Sequence, residues 1–142
     1  MLIKSILETK GTTIHSIRPD ATLAEAVESL VDHNVGSLIV FENDQMVGII
    51  TERDILRACR GGGADLTQHT VRYHMSSPVI TGSLDDRIAD VMGLLTDKRI
   101  RHLPIVDQNN VIGIVSIGDV VKAQHHRLTM ENHYLKDYLQ HP

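Results

Sequence analysis

The sequence is poor in cysteine and in aromatic residues. It contains one cysteine, no tryptophan and one phenylalanine among 142 residues. The single Cys59 excludes an internal disulfide framework, and no second thiol is present to complete a cysteine-based zinc site or a redox pair. We expect Cys59 to pack in the interior, with an exposed redox thiol as the alternative. Because aromatic residues are scarce, Val, Ile and Leu must fill the core, which predicts buried strands.

The sequence also lacks an excess of basic charge and long apolar runs. Its formal net charge of -4 argues against a broad nucleic-acid-binding face, which needs clustered Lys and Arg. No run of about 18 apolar residues occurs, and the first seven residues are interrupted by Lys4 and Ser5, too short a stretch for a signal-peptide core. We therefore expect a soluble, cytoplasmic protein that contacts neither nucleic acid nor a membrane.

No pattern in the sequence indicates catalysis. It offers no nucleophile with a neighbouring base, no metal-binding cluster and no paired carboxylates, so we expect a protein that is not an enzyme and holds no metal. His125, His126 and His133 lack the i, i+4 spacing that places two imidazoles on one metal, which favours a solvated helix face. Glycines 61–63 are not followed by the Lys-Ser/Thr of a phosphate-binding loop and predict a flexible turn.

The sequence does contain an internal repeat. Residues 23–56 align without a gap on residues 88–121 at a constant offset of 65 residues, and the match includes Gly48 with Gly113. A unit of this length cannot bury its apolar face alone, so two copies in one chain are expected to pack on each other. The length suits a single domain with a real core.

Both copies show the same order of predicted elements, which follows from capping boxes and from β-rich runs bounded by polar turns. The first copy predicts a strand at residues 13–17, a helix capped by Thr22 and Glu25, a hairpin of residues 38–41 and 46–50, and a helix from Thr51. The second predicts a strand at residues 79–81, a helix capped by Ser83 and Asp86, a hairpin of residues 103–106 and 111–115, and a helix from Ser116. The predicted fold is α/β of the α+β type, with two β-α-β-β-α repeats.

The predicted organisation has five segments. They are an N-terminal helix (1–12), a first repeat (13–60), a connector (61–75), a second repeat (76–123) and a C-terminal helical tail (124–142). Apolar residues lie at helical spacing in both termini, namely Leu2, Ile3 and Ile6 at one end and Leu128, Leu135 and Leu139 at the other. One small domain would struggle to cover both stripes, so we expect the terminal helices to form a homodimer interface.

The motif Gly-apolar-apolar-Thr/Ser-x-x-Asp ends each predicted hairpin, at residues 48–54 and 113–119. Its spacing places a hydroxyl and a carboxylate on one helical turn, Thr51 with Asp54 and Ser116 with Asp119. One interpretation is a capping box that starts the helix. Another is a site for the cis-diol of a ribose, whose hydroxyls donate to a carboxylate. The two interpretations are compatible.

A cation and an imidazole precede the second hairpin. Arg101 offers a planar fork that matches phosphate, and His102 follows it. The aligned positions of the first copy are Gly36 and Ser37, so the equivalent strand there lacks a phosphate contact. The two copies need not be equivalent in binding.

The duplicated motif and the segment Arg-His-Leu-Pro-Ile-Val-Asp at residues 101–107 resemble the tandem CBS (cystathionine-β-synthase) domain pair, a regulatory module that binds adenine nucleotides. The resemblance covers roughly residues 14–121. It implies that the two copies pack through their sheets about a pseudo-twofold axis. It also implies two clefts in which adenine lies against backbone and apolar side chains.

The resemblance further implies roles for individual residues. Ribose would be held by Thr51, Asp54, Ser116 and Asp119; phosphate by Arg101 and His102; and adenine by Ile14, Ile80, Leu103 and Pro104. Arg53, inside the first motif, is a further candidate for phosphate in either cleft. For Arg53 the alternative is a solvated helix surface, and for His102 it is packing against the sheet.

Two functions remain open at this level. The first is a regulatory module that binds AMP, ADP, ATP, an NAD-type dinucleotide or S-adenosylmethionine and modulates a separate protein, and the aspartate in both motifs favours it. The second is a ligand-independent module for dimerisation or protein interaction.

Overall fold

The computed structural model describes residues 1–60, 62–63 and 65–141. Within these ranges it contains a three-stranded and a two-stranded sheet with helices around them, and no helix combines the length and apolarity needed to cross a bilayer. The elements follow one another as α1 (Ile3–Lys10), β1 (Ser16–Ile17), α2 (Leu23–His33), β2 (Ser37–Glu42), β3 (Gln45–Thr51), α3 (Glu52–Ala58), a 3₁₀ turn (Leu66–Gln68), α4 (Val71–His74), α5 (Ile88–Lys98), β4 (His102–Asp107), β5 (Asn110–Ser116) and α6 (Ile117–Gln140).

The first repeat forms largely as its local signals predict. Glu25 N–H donates to Thr22 Oγ1 at 3.1 Å and Thr22 N–H donates to the Glu25 carboxylate at 3.0 Å, which is the predicted capping box. β2 and β3 pair antiparallel around Asn43 and Asp44, whose φ angles of 52° and 62° suit a two-residue hairpin turn. β1 pairs parallel with β2 and spans two residues, fewer than predicted.

The second repeat contains the equivalent hairpin of β4 and β5, but the predicted strand at residues 79–81 is wrong. In place of that strand, one bridge between Gly82 and Ile105 pairs the chain after residue 81 with β4. A Cβ at Gly82 would lie 2.7 Å from the Leu103 side chain. The chain therefore approaches β4 closely enough to pair at the glycine rather than at the side-chain-bearing residues before it.

The predicted cap of α5 is also wrong. Ser83 N–H donates to Asp86 Oδ2 at 2.8 Å, which closes a turn ahead of the helix. The N-cap is Arg87, whose side chain makes no capping bond. Ile88 N–H instead donates to Met1 O at 3.1 Å, so the N-terminal backbone satisfies one of the free donors at this helix end.

Each repeat is completed by a short helix that precedes the other repeat in the chain. α1 precedes the first repeat, but its Ile3, Ile6 and Leu7 are buried in the core of the second, among side chains of α5, β4, β5 and α6. α4 precedes the second repeat, but its Val71 is buried in the core of the first. We call α1 and α4 the exchanged helices.

Matching contacts dock the two exchanged helices. Ile3 N–H donates to Asp86 O at 2.9 Å, and Val71 N–H donates to Ala21 O at 2.8 Å. The two carbonyls lie just before α5 and α2. Each exchanged helix is therefore held at the same place in the repeat that it completes.

The exchanged helices explain the glycine of the repeated motif. Leu7 lies against Gly113, and Met75, at the end of α4, lies against Gly48. A Cβ would come within 3.0 Å of the Leu7 side chain at Gly113, and within 2.4 Å of Met75 Sδ at Gly48. A side chain at either glycine would therefore displace the Leu7 or Met75 side chain that packs against it.

The predicted interface stripe of the N-terminal helix is wrong. Ile3 and Ile6 are buried within this chain, and Leu2 beside them pairs with Arg87. The apolar periodicity of α1 does indicate a buried face, but that face packs against the second repeat of the same chain and not against a second molecule.

The C-terminal stripe, in contrast, is exposed. Leu128, Leu135 and Leu139 are 59%, 55% and 76% exposed. α6 continues as one helix of 24 residues, so the predicted boundary between residues 123 and 124 falls inside it. Every residue from 125 to 141 is exposed, and the second half of α6 projects from the core.

The predicted burial of Cys59 is wrong. Cys59 is exposed, because α3 ends at Ala58 and Cys59 is the residue that follows. Leu56 of α3 and Val31 of α2 are exposed as well.

Two further predictions are the flexible turn at glycines 61–63 and the solvated helix face that carries three histidines. Gly61 lies outside the described residues, and Gly62 and Gly63 have φ angles of 73° and 75° at exposed positions. The three histidines at 125, 126 and 133 are exposed on α6, in agreement with a solvated helix face.

The docking of α1 in the second repeat predicts how a substitution in α1 changes the free energy of unfolding. Ile3→Ala is expected to lower the free energy of unfolding by about 2–5 kcal/mol, because it empties a fully buried site in the second repeat. Leu56→Ala, the matched control at an exposed position of α3, is expected to change it by less than about 0.5 kcal/mol. Urea unfolding measures both, and a small effect of Ile3→Ala would contradict the docking of α1.

Candidate functional site

The repeated motif forms two strand-to-helix corners with capping boxes. At the first corner, Thr51 N–H donates to Asp54 Oδ2 at 2.9 Å and Asp54 N–H donates to Thr51 Oγ1 at 3.3 Å. At the second, Ser116 N–H donates to Asp119 Oδ2 at 2.8 Å and Asp119 N–H donates to Ser116 Oγ at 3.1 Å. The capping interpretation is confirmed at both corners.

Asp54 is enclosed by its neighbours. It is 5% exposed, and besides the capping contact its Oδ2 accepts the Thr51 hydroxyl at 3.0 Å. Its Oδ1 accepts the Ser76 hydroxyl at 3.0 Å, and Arg57 approaches it at 3.8 Å. This carboxylate therefore ties the first corner to the chain that follows α4.

Asp119 has a different partner, the last residue of α1. Lys10 Nζ donates to Asp119 Oδ2 at 2.7 Å and to Ile114 O at 3.0 Å. Burial raises the pKa of the Asp119 carboxyl, but the hydrogen bonds from Lys10 and Ser116 outweigh burial and hold that pKa below its usual value. The second corner acid is thus held by a close cation from α1, whereas the first is held by the Ser76 hydroxyl with Arg57 farther away.

A cleft of ≈ 710 Å³ lies between the two corners. It is formed where the start of α3 and the start of α6 face each other, with the loop between α5 and β4 along one side. Its lining comprises residues 51–54, 98–102 and 116–118 with Gly36, Ile49, Arg57 and Ser76. Both motif hydroxyls, Thr51 and Ser116, line the same space.

The cleft is cationic although the chain is acidic overall. Its lining carries the cations Arg53, Arg57, Lys98, Arg99 and Arg101, against two carboxylates, whereas the whole chain has a formal net charge of -4. Partly enclosed charges are screened less than charges on an open surface. The cleft therefore favours an anionic ligand.

His102 occupies the floor of the cleft beside Gly36. A Cβ at Gly36 would be 3.0 Å from His102 Nε2 and 2.6 Å from the Glu52 carboxylate. Burial is the main cause that lowers the pKa of His102, with Lys10 and Arg101 acting in the same direction. The lowered pKa favours the neutral imidazole at pH 7, which can donate one hydrogen bond and accept another.

The structure brings together six of the predicted site residues in this cleft: Thr51, Asp54, Arg53, Arg101, His102 and Ser116. Asp119 is not among the lining residues, but it is hydrogen-bonded to Ser116, which is. The residues predicted for adenine also lie outside the lining: Leu103 and Pro104 are buried, Ile14 is partly buried, and Ile80 is exposed. Leu103 is a member of the second core.

Sequence reasoning missed several residues near the corners. Lys98 and Arg99 lie three and two residues before the predicted cation Arg101, and their positive charges could have indicated their place in the cleft. Lys10 had no such signal, because its position depends on the docking of α1.

The site and fold agree with a known domain family. The family model described as CBS domain matches residues 6–61 and 71–126. This chain belongs to the CBS domain family. The two matched segments each contain one corner, so the chain is a tandem CBS pair.

Individual CBS proteins resemble the chain over most of its length. It is 35% identical over 122 residues to the CBS domain-containing protein YhcV of Bacillus subtilis, covering 86% of each chain. The crystal structure of the CBS-domain containing protein ATU1752 from Agrobacterium tumefaciens has a TM-score of 0.84 and 34% identity, covering 87% of this chain and 99% of that one.

A third similar structure contains adenosine compounds. It is the CBS domain pair of protein MJ0100 in complex with 5′-methylthioadenosine and S-adenosyl-L-methionine, with a TM-score of 0.78 and 26% identity. The alignment covers 89% of this chain and 98% of that one.

The two corner acids are expected to differ in structural importance. Asp54→Ala should cost about 2–3 kcal/mol of unfolding free energy, because it removes a cap and leaves the partly buried donors of Thr51 and Ser76 without their acceptor. Asp119→Ala should cost about 1 kcal/mol, because its site is more exposed. Thermal and urea unfolding with Asp85→Ala as an exposed control would test this, and equal costs at the two corners would contradict it.

Proposed function

We propose that this chain is a regulatory module that binds an adenosine-containing nucleotide in the cationic cleft and modulates a separate protein, in a reducing compartment such as the cytoplasm. One observation carries the proposal: a cleft with five cations and both motif hydroxyls lies between the two corners of a CBS pair. An adenine nucleotide has a diol and phosphates, and these two groups require hydroxyl or carboxylate acceptors and fixed cations.

The corner acids support a ribose site. A carboxylate accepts without donating, and the two hydroxyls of a ribose diol can donate to it together. In the proposal Asp54 with Thr51, or Asp119 with Ser116, holds the diol. Both carboxylates already have protein partners, so the ligand replaces one of those contacts.

The charge of the cleft supports a phosphorylated ligand. 5′-Methylthioadenosine carries no phosphate, and S-adenosyl-L-methionine carries a cationic sulfonium that Arg53, Arg99 and Arg101 would repel. AMP, ADP, ATP and NAD present anionic oxygens to the same guanidinium groups. We therefore assign an anionic adenine nucleotide to this chain.

Arg101 provides the main test. Arg101→Ala should weaken AMP binding about tenfold to a hundredfold, since a charged hydrogen bond is worth roughly 1.5–3 kcal/mol, and should leave uncharged adenosine nearly unaffected. Arg101→Lys should recover part of the AMP affinity, because the charge remains and the fork is lost. Isothermal titration calorimetry measures these affinities.

Two controls distinguish the loss of a phosphate contact from a general loss of AMP binding. Arg127→Ala removes an arginine that pairs with Glu131 on the exposed half of α6 and should leave AMP binding unchanged. Raising the salt concentration should weaken AMP binding more than adenosine binding. Equal losses for both ligands in Arg101→Ala would disprove the phosphate assignment, and no binding of any adenine compound by the wild type would disprove the function.

A second candidate function is ligand-independent association, and the exposed half of α6 favours it. Three leucines at residues 128, 135 and 139 lie on one side of a helix that no described part of the chain covers there. An isolated helix of this length is marginal in water, and a second copy would stabilise it. We propose a homodimer through this half of α6.

Truncation tests the dimer. A chain ending at Gln124 should be monomeric by light scattering at micromolar concentration, and so should the variant with both Leu128→Glu and Leu135→Glu. Lys136→Glu on the same helix is the control and should remain dimeric. A truncated chain that still forms dimers would move the interface to another surface.

A further inference from the structure

Lys10 joins the exchanged helix α1 to the second corner. Its Nζ lies 2.7 Å from Asp119 Oδ2 and 3.0 Å from Ile114 O. The same Asp119 oxygen accepts Ser116 N–H at 2.8 Å. The ion pair is partly enclosed, with 34% of the Lys10 side chain and 24% of the Asp119 side chain exposed.

This ammonium and a ribose diol need the same acceptor. The two hydroxyls of a diol span both oxygens of a carboxylate, and Asp119 Oδ2 already accepts two donors. An ammonium donates hydrogen bonds and accepts none, so Lys10 cannot pair with the diol in its present position. A two-point contact between ribose and Asp119 therefore requires Lys10 to leave.

The first corner has no cation from an exchanged helix among the described residues, and the cation that approaches its acid belongs to α3. Its α4-side partner is the neutral Ser76 hydroxyl, and Arg57 of the same corner lies at 3.8 Å from Asp54. A hydroxyl can turn from donor to acceptor when a diol arrives, whereas an ammonium cannot. Competition with a cation from an exchanged helix is thus specific to Asp119.

Lys10 is also placed so that its release has a structural consequence. It is the last residue of α1, and Gly11 with a φ of 95° follows it. Leu7, one turn earlier, is buried against Gly113, so the body of the helix stays docked. The Lys10–Asp119 contact fixes the end of α1 and the start of the segment that leads to β1.

We propose that Lys10 is an affinity-determining latch of the second corner: it occupies the ribose acceptor Asp119 until nucleotide displaces it, and its displacement frees the C-terminal end of α1. This inference rests on the proposed nucleotide function. It assigns to that site a link between ligand binding and the motion of α1, which a regulated partner can detect.

Substitution of Lys10 tests the competition. Lys10→Met keeps most of the side-chain length and removes the charge, so it should raise the affinity for both adenosine and AMP about twofold to fivefold, the range that corresponds to a partly exposed ion pair. Lys10→Arg should resemble the wild type, and Lys4→Met, an exposed lysine on the same helix, should have no effect. Affinity that is unchanged or lower in Lys10→Met would overturn the latch, and a loss confined to AMP would make Lys10 a phosphate contact instead.

Hydrogen exchange tests the release of α1. Saturating adenosine should speed amide exchange at Thr9, Lys10 and Thr12 in the wild type and slow it at Asp119. In Lys10→Met, exchange at the end of α1 should be fast without ligand, and adenosine should add little. Slower exchange at the end of α1 on adenosine binding to the wild type would overturn the proposal.

The two proposals fail in different ways. If neither the wild type nor Lys10→Met binds adenosine or AMP, the nucleotide function is wrong and Lys10 has no ligand to compete with. If the wild type binds and Lys10→Met binds no better, the nucleotide function stands and the latch alone is wrong.

Discussion

The exchange of α1 and α4 between the two repeats holds the structure together. Each helix fills the core of the repeat that it does not precede, with Ile3 and Val71 in equivalent buried positions. A two- or three-stranded sheet with two helices leaves one end of its core open, and the exchanged helix closes it. The core of each repeat is therefore completed by a helix that precedes the other repeat in the sequence.

The same exchange positions the site. Leu7 and Met75 lie against the motif glycines, Gly113 and Gly48, and so set how β5 and β3 approach the corners that follow them. The polar residues after these contacts then reach the corner acids, Lys10 for Asp119 and Ser76 for Asp54. One packing arrangement thus supplies the core and the second partner of each carboxylate.

The two halves have nevertheless diverged where they meet the cleft. Arg101 and Gly36 occupy aligned positions, and the glycine leaves room for His102 and Glu52 between the repeats. A side chain as large as arginine at Gly36 would fill the space that the cleft occupies. The asymmetry makes the two sides of this cleft unequal, with the cation Arg101 on one side and a glycine at the aligned position on the other.

Much of this could be predicted from local patterns, because capping boxes, hairpin turns and apolar periodicity act over a few residues. These signals located α2, both hairpins and the corner motifs. Arg53, Arg101 and His102 were predicted instead from their chemistry and their positions in or beside those motifs. They failed where the partner is distant in sequence. The apolar face of α1 indicates burial but not what covers it, and the role of Lys10 and the capping of α5 by Met1 O depend on that docking. Cys59 was misplaced because it lies one residue beyond the end of α3.

A crystal structure of the protein with AMP would test the central claim most directly. The account predicts that AMP lies in the cleft between the corners, with its phosphate in hydrogen-bond contact with Arg101 and its ribose diol on Asp54 or Asp119. AMP bound elsewhere on the protein, or bound in the cleft with its phosphate in contact with none of the lining arginines, would contradict it.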